Sequence, residues 1–452
     1  MIKPLVVIQG PVATRSGYGN HTRDIARSLI AMDKYDLKII SMRWGHCPMT
    51  ALNELDPKDK PIIDCIVNDK FDRQPDIFIQ ISVPNEFCMA PDGKTEVRPG
   101  KFNIGITAGV ESNVMPADCI QGCNRMDLVI TTSKHTSTII KQTIWDKVNE
   151  QTKQKEDELK ITTPIEELFE GADLDVYKKV HELDKPVVDE LAQLKESFCF
   201  LVVGHWIKGD IGEDRKDIGM TIKTFLETFK NTGTSKRPGL ILKVSGATFS
   251  IIDRDMLMAK IASILKGYGN NAPNVYLLHG DLSDAEMNSL YNHPKVKAMV
   301  SFTKGEGFGR PLLEFSLTGK PIIVSNWSGH LDFLHNEYTT LLPGQLTQVH
   351  PSAADRFIMK ESKWFTVQYQ YASKILKDVF KHYKKYLERS RKQGYYSRTN
   401  FSLEKMTEKF TEILGKYAQP ERVELTLPKL NNSGQNDSPP KIKLPKLKKV
   451  NV

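Results

Sequence analysis

The chain has 452 residues, of which 40% are hydrophobic and 26% are charged, and its net charge at pH 7 is +8. This hydrophobic content excludes a disordered protein over most of the length, and the length indicates two or three domains. No apolar run approaches the ~18 residues that cross a bilayer. The apolar stretch at the start is too short for a signal peptide, so we expect a cytoplasmic protein with free cysteines.

From residue 4 to about residue 133, short apolar runs alternate with polar, helix-like stretches. Several runs are continuously apolar, which is typical of strands buried on both faces of a parallel sheet. The predicted strands are Leu5–Gln9, Leu37–Met42, Asp76–Ser82, Phe102–Ala108 and Asp127–Thr132. Residues 140–163 are rich in Lys, Glu, Gln and Thr, which predicts a solvated helical insertion.

The first strand leads into a glycine-rich turn that contains Gly17 and Gly19 and precedes a predicted helix at Asp24–Ile30. Free backbone N–H groups and the positive end of the helix make such a turn a candidate phosphate site. The turn matches neither GxGxxG nor GxxxxGK[ST], which disfavours a dinucleotide-binding fold and a P-loop NTPase.

After a polar connection at residues 178–195 the α/β pattern starts again. The predicted strands are Phe198–Gly204, Leu240–Ser245, Val275–Leu278, Ala298–Thr303 and Pro321–Ser325. The predicted helices are Thr221–Lys230, Asp255–Tyr268, Ser283–Asn292, Pro311–Thr318, a long helix at Gln368–Ser390 and a last helix at Leu403–Lys416. Two successive α/β halves predict a crevice between two sheets, with ligands at the carboxyl ends of the strands.

Beyond residue 418 the composition changes to Pro, Asn, Ser and Lys, which predicts a flexible basic tail. Residues 419–452 carry seven Lys or Arg against three Asp or Glu, a net charge of +4 and half of the total. The rest of the chain is therefore only weakly basic, which is a weak indication of nucleic-acid binding.

The most specific motif lies in Ser301–Glu314, where a buried strand runs into the turn Gly307–Gly309. Glu306 precedes this turn, and Glu314 lies about one turn into the helix that follows it. Carboxylates accept hydrogen bonds from hydroxyl groups. Glu314 is therefore suited to ribose hydroxyls, and Glu306 with the amides of the turn is suited to a sugar.

The seven residues between Glu306 and Glu314 resemble the EX7E signature of retaining GT-B glycosyltransferases of family 4. Other segments resemble the family in the same order along the chain, over roughly residues 4–416. These segments are Asp127–Ser133, Glu170–Asp173, Gly204, Arg215–Lys216, Val275–Gly280, Leu282–Glu286, Gly319–Ser325 and Gly329–Phe333. The sequence departs from the family at His205, where arginine is usual, and at Glu111, where many members carry histidine.

The resemblance implies an α/β fold of the GT-B kind, with two Rossmann-like domains facing each other across a cleft and C-terminal helices that pack back. The implied divisions are an N-terminal acceptor-side domain (1–180), a C-terminal nucleotide-sugar-binding domain (195–366), crossing helices (367–418) and the basic tail (419–452).

The resemblance also implies the roles of individual residues. The catalytic set is Glu306, Arg215, Lys216 and Glu111, with the Arg–Lys pair stabilising the leaving diphosphate. The donor-binding set is Gly17, Gly19, Gly204, Gly280, Lys304, Gly307, Phe308, Gly309 and Glu314. No metal and no cofactor are expected, because the Asp-x-Asp pairs at 173/175 and 253/255 lie in a loop and at a helix start.

The implied reaction is a metal-independent transfer of a hexosyl or pentosyl group, with retained anomeric configuration, from a UDP- or GDP-type sugar. A saccharide or glycoconjugate acceptor is expected. A hydroxymethylated base in DNA is an alternative that the basic tail favours, and the same tail could contact an anionic membrane. A non-catalytic nucleotide-sugar-binding scaffold is the rival class, and the intact motif residues argue against it.

Overall fold

The first half of the chain is built on a parallel sheet. In this computed structural model, residues 3–67, 71–149, 151–233, 236–246, 248–269 and 272–418 are described, so the predicted tail at 419–452 lies outside the described residues. The strands of the first half are β1 (Leu5–Gly10), β2 (Asp36–Ser41), β3 (Ile77–Ile81), β4 (Phe102–Thr107), β5 (Leu128–Thr131), β6 (Trp145–Val148), β7 (Lys155–Leu159) and β8 (Ile165–Glu167).

Six of these strands form one sheet in the order β2-β1-β3-β4-β5-β8, and every pair in it is parallel. All five predicted strands of this half are confirmed to within one or two residues. Their apolar runs are buried on both faces because helices cover the sheet. Those helices are α1 (Gly17–Met32), α2 (Lys60–Ile63), α3 (Ala117–Asn124) and α4 (Lys134–Gln142).

The predicted helical insertion at 140–163 is wrong. After α4 ends, β6 and β7 form an exposed antiparallel hairpin. Cross-strand ion pairs join its two strands, with Lys155 at 2.7 Å from Asp146 and Lys147 at 3.1 Å from Asp157. Lys and Glu favour helices in isolation, but such pairs also stabilise a two-stranded ribbon, and tertiary contacts decide between them.

The second half repeats the design with β9 (Cys199–His205), β10 (Gly239–Ser245), β11 (Val275–Leu277), β12 (Val296–Ser301), β13 (Ile322–Ser325) and β14 (Thr340–Leu342). Their order is β11-β10-β9-β12-β13-β14, and all pairs are parallel. A hairpin of β15 (Gly344–Gln348) and β16 (Lys363–Val367) follows. The helices are α5 (Lys185–Ala192), α6 (Ile218–Phe229), α7 (Ile251–Leu265), α8 (Asp284–Asn292) and α9 (Arg310–Ser316).

Three C-terminal helices end the described chain: α10 (Tyr369–Lys381), α11 (Tyr383–Asn400) and α12 (Leu403–Tyr417). The single long helix predicted at 368–390 is therefore two helices, because the backbone leaves helical geometry at His382, with φ −117° and ψ 35°. The last helix is confirmed. It returns to the first half, where Met406 and Phe410 are buried in the core with Val6 and Ile25.

This architecture confirms the predicted fold class: two Rossmann-like halves with C-terminal helices that pack back. Both halves belong to one compact unit. None of the helices in the described part of the chain has the length and apolar character that a membrane span requires. The domain boundaries proposed from the sequence stay a prediction.

Candidate active site

The loops that follow β4 and β12 touch each other, so the carboxyl ends of the two sheets meet. A Cβ atom placed on Gly305 would lie 2.1 Å from the carbonyl oxygen of Glu111, and one on Gly307 would lie 2.1 Å from that of Ala108. No side chain fits in that space. Glycine at these two positions therefore lets the second-half loop approach the first-half loop backbone to backbone.

Four predicted catalytic residues come together at this contact, and we call them the Glu306 cluster: Glu111, Arg215, Lys216 and Glu306. The Lys216 amine donates a hydrogen bond to Glu306 Oε1. The Arg215 guanidinium lies 3.3 Å from Glu111 Oε1 and 3.7 Å from Glu306 Oε2. Two cations thus face two carboxylates, one of which comes from the opposite half of the chain.

The electrostatics of the cluster keep Glu306 ionised. Burial raises the pKa of a carboxyl, but Lys216 and Arg215 outweigh burial here and lower the pKa of Glu306 to about 2. The backbone N–H of Glu306 also donates to Ser328 Oγ at 2.9 Å, which fixes the loop. At neutral pH Glu306 can therefore accept hydrogen bonds from a ligand, but it holds no proton to donate.

The cationic pair is held by the turn between β9 and α6. Asp214 and Asp217 flank the pair and are buried, and Asp214 Oδ2 accepts from the N–H of Ile218 at 3.0 Å. The backbone of this turn also bonds to the other loop, with Lys304 N donating to Arg215 O at 2.8 Å. The sequence therefore fixes Arg215 and Lys216 through buried neighbours rather than leaving them on a mobile surface turn.

The predicted donor residue Lys304 is not brought to the cleft. Its side chain is 1% exposed, and its ammonium group donates to Thr366 Oγ1 at 2.9 Å and lies 3.7 Å from Asp217 Oδ2. Its side chain therefore supports the loop from the protein interior. A buried ammonium group requires such polar partners. Phe308 is likewise buried and packs on Phe333, with the ring centroids 4.9 Å apart, so its side chain does not line the cleft.

Glu314 belongs to a second buried group, the Arg310 cluster, which consists of Asp24, Glu170, Arg310 and Glu314. The Arg310 guanidinium donates to Glu314 Oε1 at 2.9 Å and to Asp24 Oδ2, and it lies 3.9 Å from Glu170 Oε2. Asp24 and Glu170 come from the first half. One cation therefore serves three carboxylates across the contact between the two halves.

The pKa values of the glutamates in the Arg310 cluster are shifted in the opposite direction to the pKa of Glu306. Burial raises the pKa of Glu170 to about 8 and that of Glu314 to about 7, although Arg310 opposes both shifts. The Tyr291 hydroxyl also donates to Glu314 Oε2 at 3.4 Å. The carboxylate predicted to bind ribose is thus already held by Arg310 and Tyr291.

The predicted glycines differ in their surroundings. Gly17, the first residue of α1, has open space where a Cβ would be, whereas one on Gly19 would lie 2.3 Å from Thr14 O. A Cβ atom on Gly204 would contact the Lys216 side chain. The carbonyl oxygen of Gly280 accepts a hydrogen bond from the Lys243 ammonium group at 2.8 Å. Gly309 has a φ of 96° and precedes α9. Gly17 is therefore an exposed position, Gly204 adjoins Lys216 of the Glu306 cluster, and Gly19 is a packing residue.

The structure also shows the surroundings of His205 and Glu111, the two residues that depart from the family pattern. The Nδ1 atom of His205 lies within hydrogen-bond distance of Ser245 Oγ and of Gly246 O, both at 3.1 Å. Partial desolvation of the ring, with the nearby Lys216 and Arg215, lowers its pKa to about 4, so it adds no positive charge. Glu111 pairs with Arg215. The cationic charge at the site therefore comes from Arg215 and Lys216.

Sequence reasoning missed several residues of this region. Arg310 and Asp24 are separated by 286 positions, and no local pattern around Arg310 indicates that it pairs with Asp24. His330 is fully buried beside the loop of Glu306. Its Nε2 donates to Ser325 O at 2.7 Å, and its Nδ1 has no hydrogen-bond partner among the described residues.

Comparison with solved structures supports the fold. A glycosyltransferase from Rickettsia africae superposes with a TM-score of 0.58 at 11% identity, over 92% of this chain and 99% of that one. HepE from Anabaena in complex with UDP-glucose gives 0.57 at 13%, over 91% and 99%. Sucrose-phosphate synthase from Thermosynechococcus elongatus gives 0.58 at 12%, over 92% and 98%.

No protein-family model and no curated protein sequence matches this chain. At these low identities the structural similarities establish the fold, which is that of GT-B glycosyltransferases, over nearly the whole length of each neighbour.

Proposed function

We propose that the chain is a glycosyltransferase that transfers a sugar, with retained anomeric configuration, from a nucleotide-diphosphate sugar to a hydroxyl group. The observation that carries the proposal is the Glu306 cluster. It places two cations and an ionised carboxylate where the carboxyl ends of two facing parallel sheets meet. In α/β sheets this edge is where ligands bind.

The chemistry of the cluster fits such a donor. When the bond between the anomeric carbon and the diphosphate oxygen breaks, negative charge grows on the diphosphate, and Arg215 and Lys216 would stabilise it. The planar guanidinium of Arg215 suits phosphate oxygens. The acceptor oxygen would form its new bond on the same face, and its proton would pass to the departing phosphate oxygen.

The glutamates would have separate tasks. Because Glu306 is ionised, it would accept hydrogen bonds from sugar hydroxyls rather than act as an acid. Glu314 would accept from ribose hydroxyls after Arg310 or Tyr291 yields one of its oxygens. The second half of the chain would hold the donor, and the first half would supply most of the acceptor surface.

The donor is proposed to be a UDP-type sugar before a GDP-type sugar, since the neighbour HepE was crystallised with UDP-glucose. A saccharide or glycoconjugate is proposed as acceptor. No metal is proposed to take part, because arginine and lysine already face the position of the diphosphate.

The test is a panel of UDP-, GDP- and ADP-sugars incubated with mixed saccharide acceptors, with nucleotide release and the anomeric configuration of the product as readouts. We expect release with one nucleotide family, an unchanged rate after chelation of divalent metals, and loss of release in Glu306→Gln. Binding without release in the wild type would indicate a scaffold. Transfer only to DNA, with binding that weakens steeply in salt, would indicate the nucleic-acid alternative.

A further inference from the structure

One tryptophan lies outside the hydrophobic cores. Trp44 belongs to none of the hydrophobic clusters that the described residues form, although it is only partly exposed. The other four tryptophans pack in or against such clusters: Trp145, Trp206, Trp327 and Trp364. The Trp44 indole instead stacks on the Tyr18 ring, with centroids 4.2 Å apart and planes inclined by 26°. Core packing therefore does not explain this side chain.

The stacked pair is held in place by backbone hydrogen bonds. Trp44 lies in the loop after β2, at the carboxyl edge of the first sheet. This loop is tied to the loop after β1 by Met42 N to Gly10 O at 3.0 Å, Arg15 N to Pro48 O at 2.9 Å and Ala51 N to Ala13 O at 3.1 Å. A ring fixed before a ligand arrives loses little conformational freedom on binding.

The pair also adjoins the Glu306 cluster. The Tyr18 hydroxyl hydrogen-bonds to Thr107 Oγ1 at 3.0 Å and accepts from the N–H of Ala108 at 3.1 Å. Ala108 begins the short loop that carries Glu111, and its carbonyl contacts Gly307 of the opposite half. A ligand on the stacked rings would therefore lie on the first-half side of the cleft, beside the proposed reaction centre.

The charges around the pair favour a neutral ligand. Arg15 lies 3.3 Å from Asp281, Arg215 pairs with Glu111 and Lys216 with Glu306. These three cations are thus paired with carboxylates, whereas the many phosphates of a nucleic-acid backbone require a row of unpaired cations. A polyhydroxyl ring has an apolar C–H face for the aromatic rings and hydroxyl groups for the carboxylates.

We propose that Tyr18 and Trp44 form a stacking platform for a pyranose ring of a saccharide acceptor. The indole Nε1 of Trp44 would donate to a sugar hydroxyl. This inference rests on the proposed function, because it names the acceptor class for the same cleft. It makes Tyr18 and Trp44 specificity-determining residues, distinct from the groups that face the diphosphate.

The test uses immobilised mono- to hexasaccharides, with single- and double-stranded DNA as separate features, probed in the presence of UDP. Trp44→Ala should bind the saccharides selected by the wild type about tenfold more weakly, equivalent to ~1.4 kcal/mol. Trp44→Phe keeps an aromatic face and should stay close to the wild type. Tyr395→Ala removes a ring that is 70% exposed on α11 and serves as the matched control.

Equal saccharide binding by Trp44→Ala and the wild type would overturn the platform. Wild-type binding to DNA features alone, or to no feature, would overturn it as well. Stabilisation of Trp44→Ala by a UDP-sugar is read in parallel, because the donor is proposed to bind in the other half. A wild type that the UDP-sugar does not stabilise would count against the proposed function. A Trp44→Ala variant that the UDP-sugar still stabilises, but that loses saccharide binding, would support the platform alone.

Discussion

The Glu306 and Arg310 clusters lie at the two ends of one short motif and differ in their charge balance. In the Glu306 cluster two cations face two carboxylates, and Glu306 has a pKa of about 2. In the Arg310 cluster one cation faces three carboxylates, and burial raises the pKa of Glu170 to about 8 and of Glu314 to about 7. Two glutamates eight positions apart on one loop and helix are thus driven to opposite protonation behaviour.

The spacing of a motif therefore does not determine the protonation behaviour of its residues. In the proposed function, the balanced cluster would exchange a carboxylate partner for a phosphate without a change in protonation. The unbalanced cluster joins the two halves of the chain, and Arg310 is the cation that its three carboxylates share. We therefore expect mutations in the first cluster to affect turnover as well as stability, and mutations in the second to affect mainly stability.

The largest expected effect is on stability in Arg310→Met. Removal of this cation leaves Glu170 and Glu314 without a cationic partner among the described residues and leaves Asp24 with Arg27, 3.5 Å away, which typically costs about 3–5 kcal/mol. Urea unfolding at pH 8 would measure the loss. The exposed pair Arg254–Asp255 supplies the control, since Arg254→Met should cost less than ~1 kcal/mol. Equal losses in the two variants would contradict the role given to Arg310.

The next effect is on turnover in Lys216→Met. Loss of one preorganised cation that is proposed to face the leaving group should lower kcat by about 100- to 1,000-fold, and loss of its ion pair with the buried Glu306 should also lower the free energy of unfolding. Nucleotide release and urea unfolding would be measured on the same preparation. Lys223→Met, an exposed residue on α6, is the matched control. A Lys216 variant with normal kcat would remove this residue from the proposed reaction.

Gly305→Ala tests the contact between the halves. The added methyl group would meet Glu111 O at 2.1 Å, so the loops must separate, at a cost of about 1–3 kcal/mol. Since Glu111 and Glu306 then move apart, kcat should fall. Gly233→Ala, where a Cβ meets open space, should leave kcat unchanged. If both alanine variants turn over like the wild type, close approach of these loops is not required.

The smallest effect is on the pH dependence of stability. Glu170 and Glu314 have raised pKa values in the folded state, so the folded protein binds more protons than the unfolded chain between pH 4.5 and about 8. Their contribution to stability is therefore present at low pH and is lost as the pH rises through this window. Glu306 contributes in the opposite sense, and its contribution is lost only as the pH falls from 4.5 toward about 2.

The double variant Glu170→Gln/Glu314→Gln should flatten the decline between pH 5.5 and pH 8, because an amide mimics the protonated carboxyl. Urea unfolding at the two pH values would show it, with the exposed Glu182→Gln as control. A double variant whose stability falls as steeply as that of the wild type would contradict the assignment of these protons.

Much of the fold could be predicted because several buried parallel strands are continuous apolar runs, as in Leu5–Ile8. The hairpin of β6 and β7 could not, because Lys and Glu do not distinguish a solvated ribbon from a solvated helix. The break at His382 was missed for a similar reason, since neither Gly nor Pro marks it.

The candidate site divides in the same way. Glu306, Arg215 and Lys216 each carry a local pattern, and the structure brings them together with Glu111. The burial of Lys304 and the link from Arg310 to Asp24 depend on contacts between distant segments, which local spacing does not encode. Trp44 was missed because only the comparison with the other tryptophans shows that it packs in no core.

The most direct test of the central claim is the thermal stability of wild type, Lys216→Met and Lys223→Met with UDP, GDP, ADP and their common sugar conjugates. A ligand at about 100 times its Kd adds roughly 2.7 kcal/mol, which gives a measurable rise in Tm. We expect Tm to rise with one nucleotide family in the wild type and in Lys223→Met, and this rise to be lost in Lys216→Met. A wild type that no nucleotide stabilises, or a Lys216→Met variant stabilised as fully as the wild type, would contradict it.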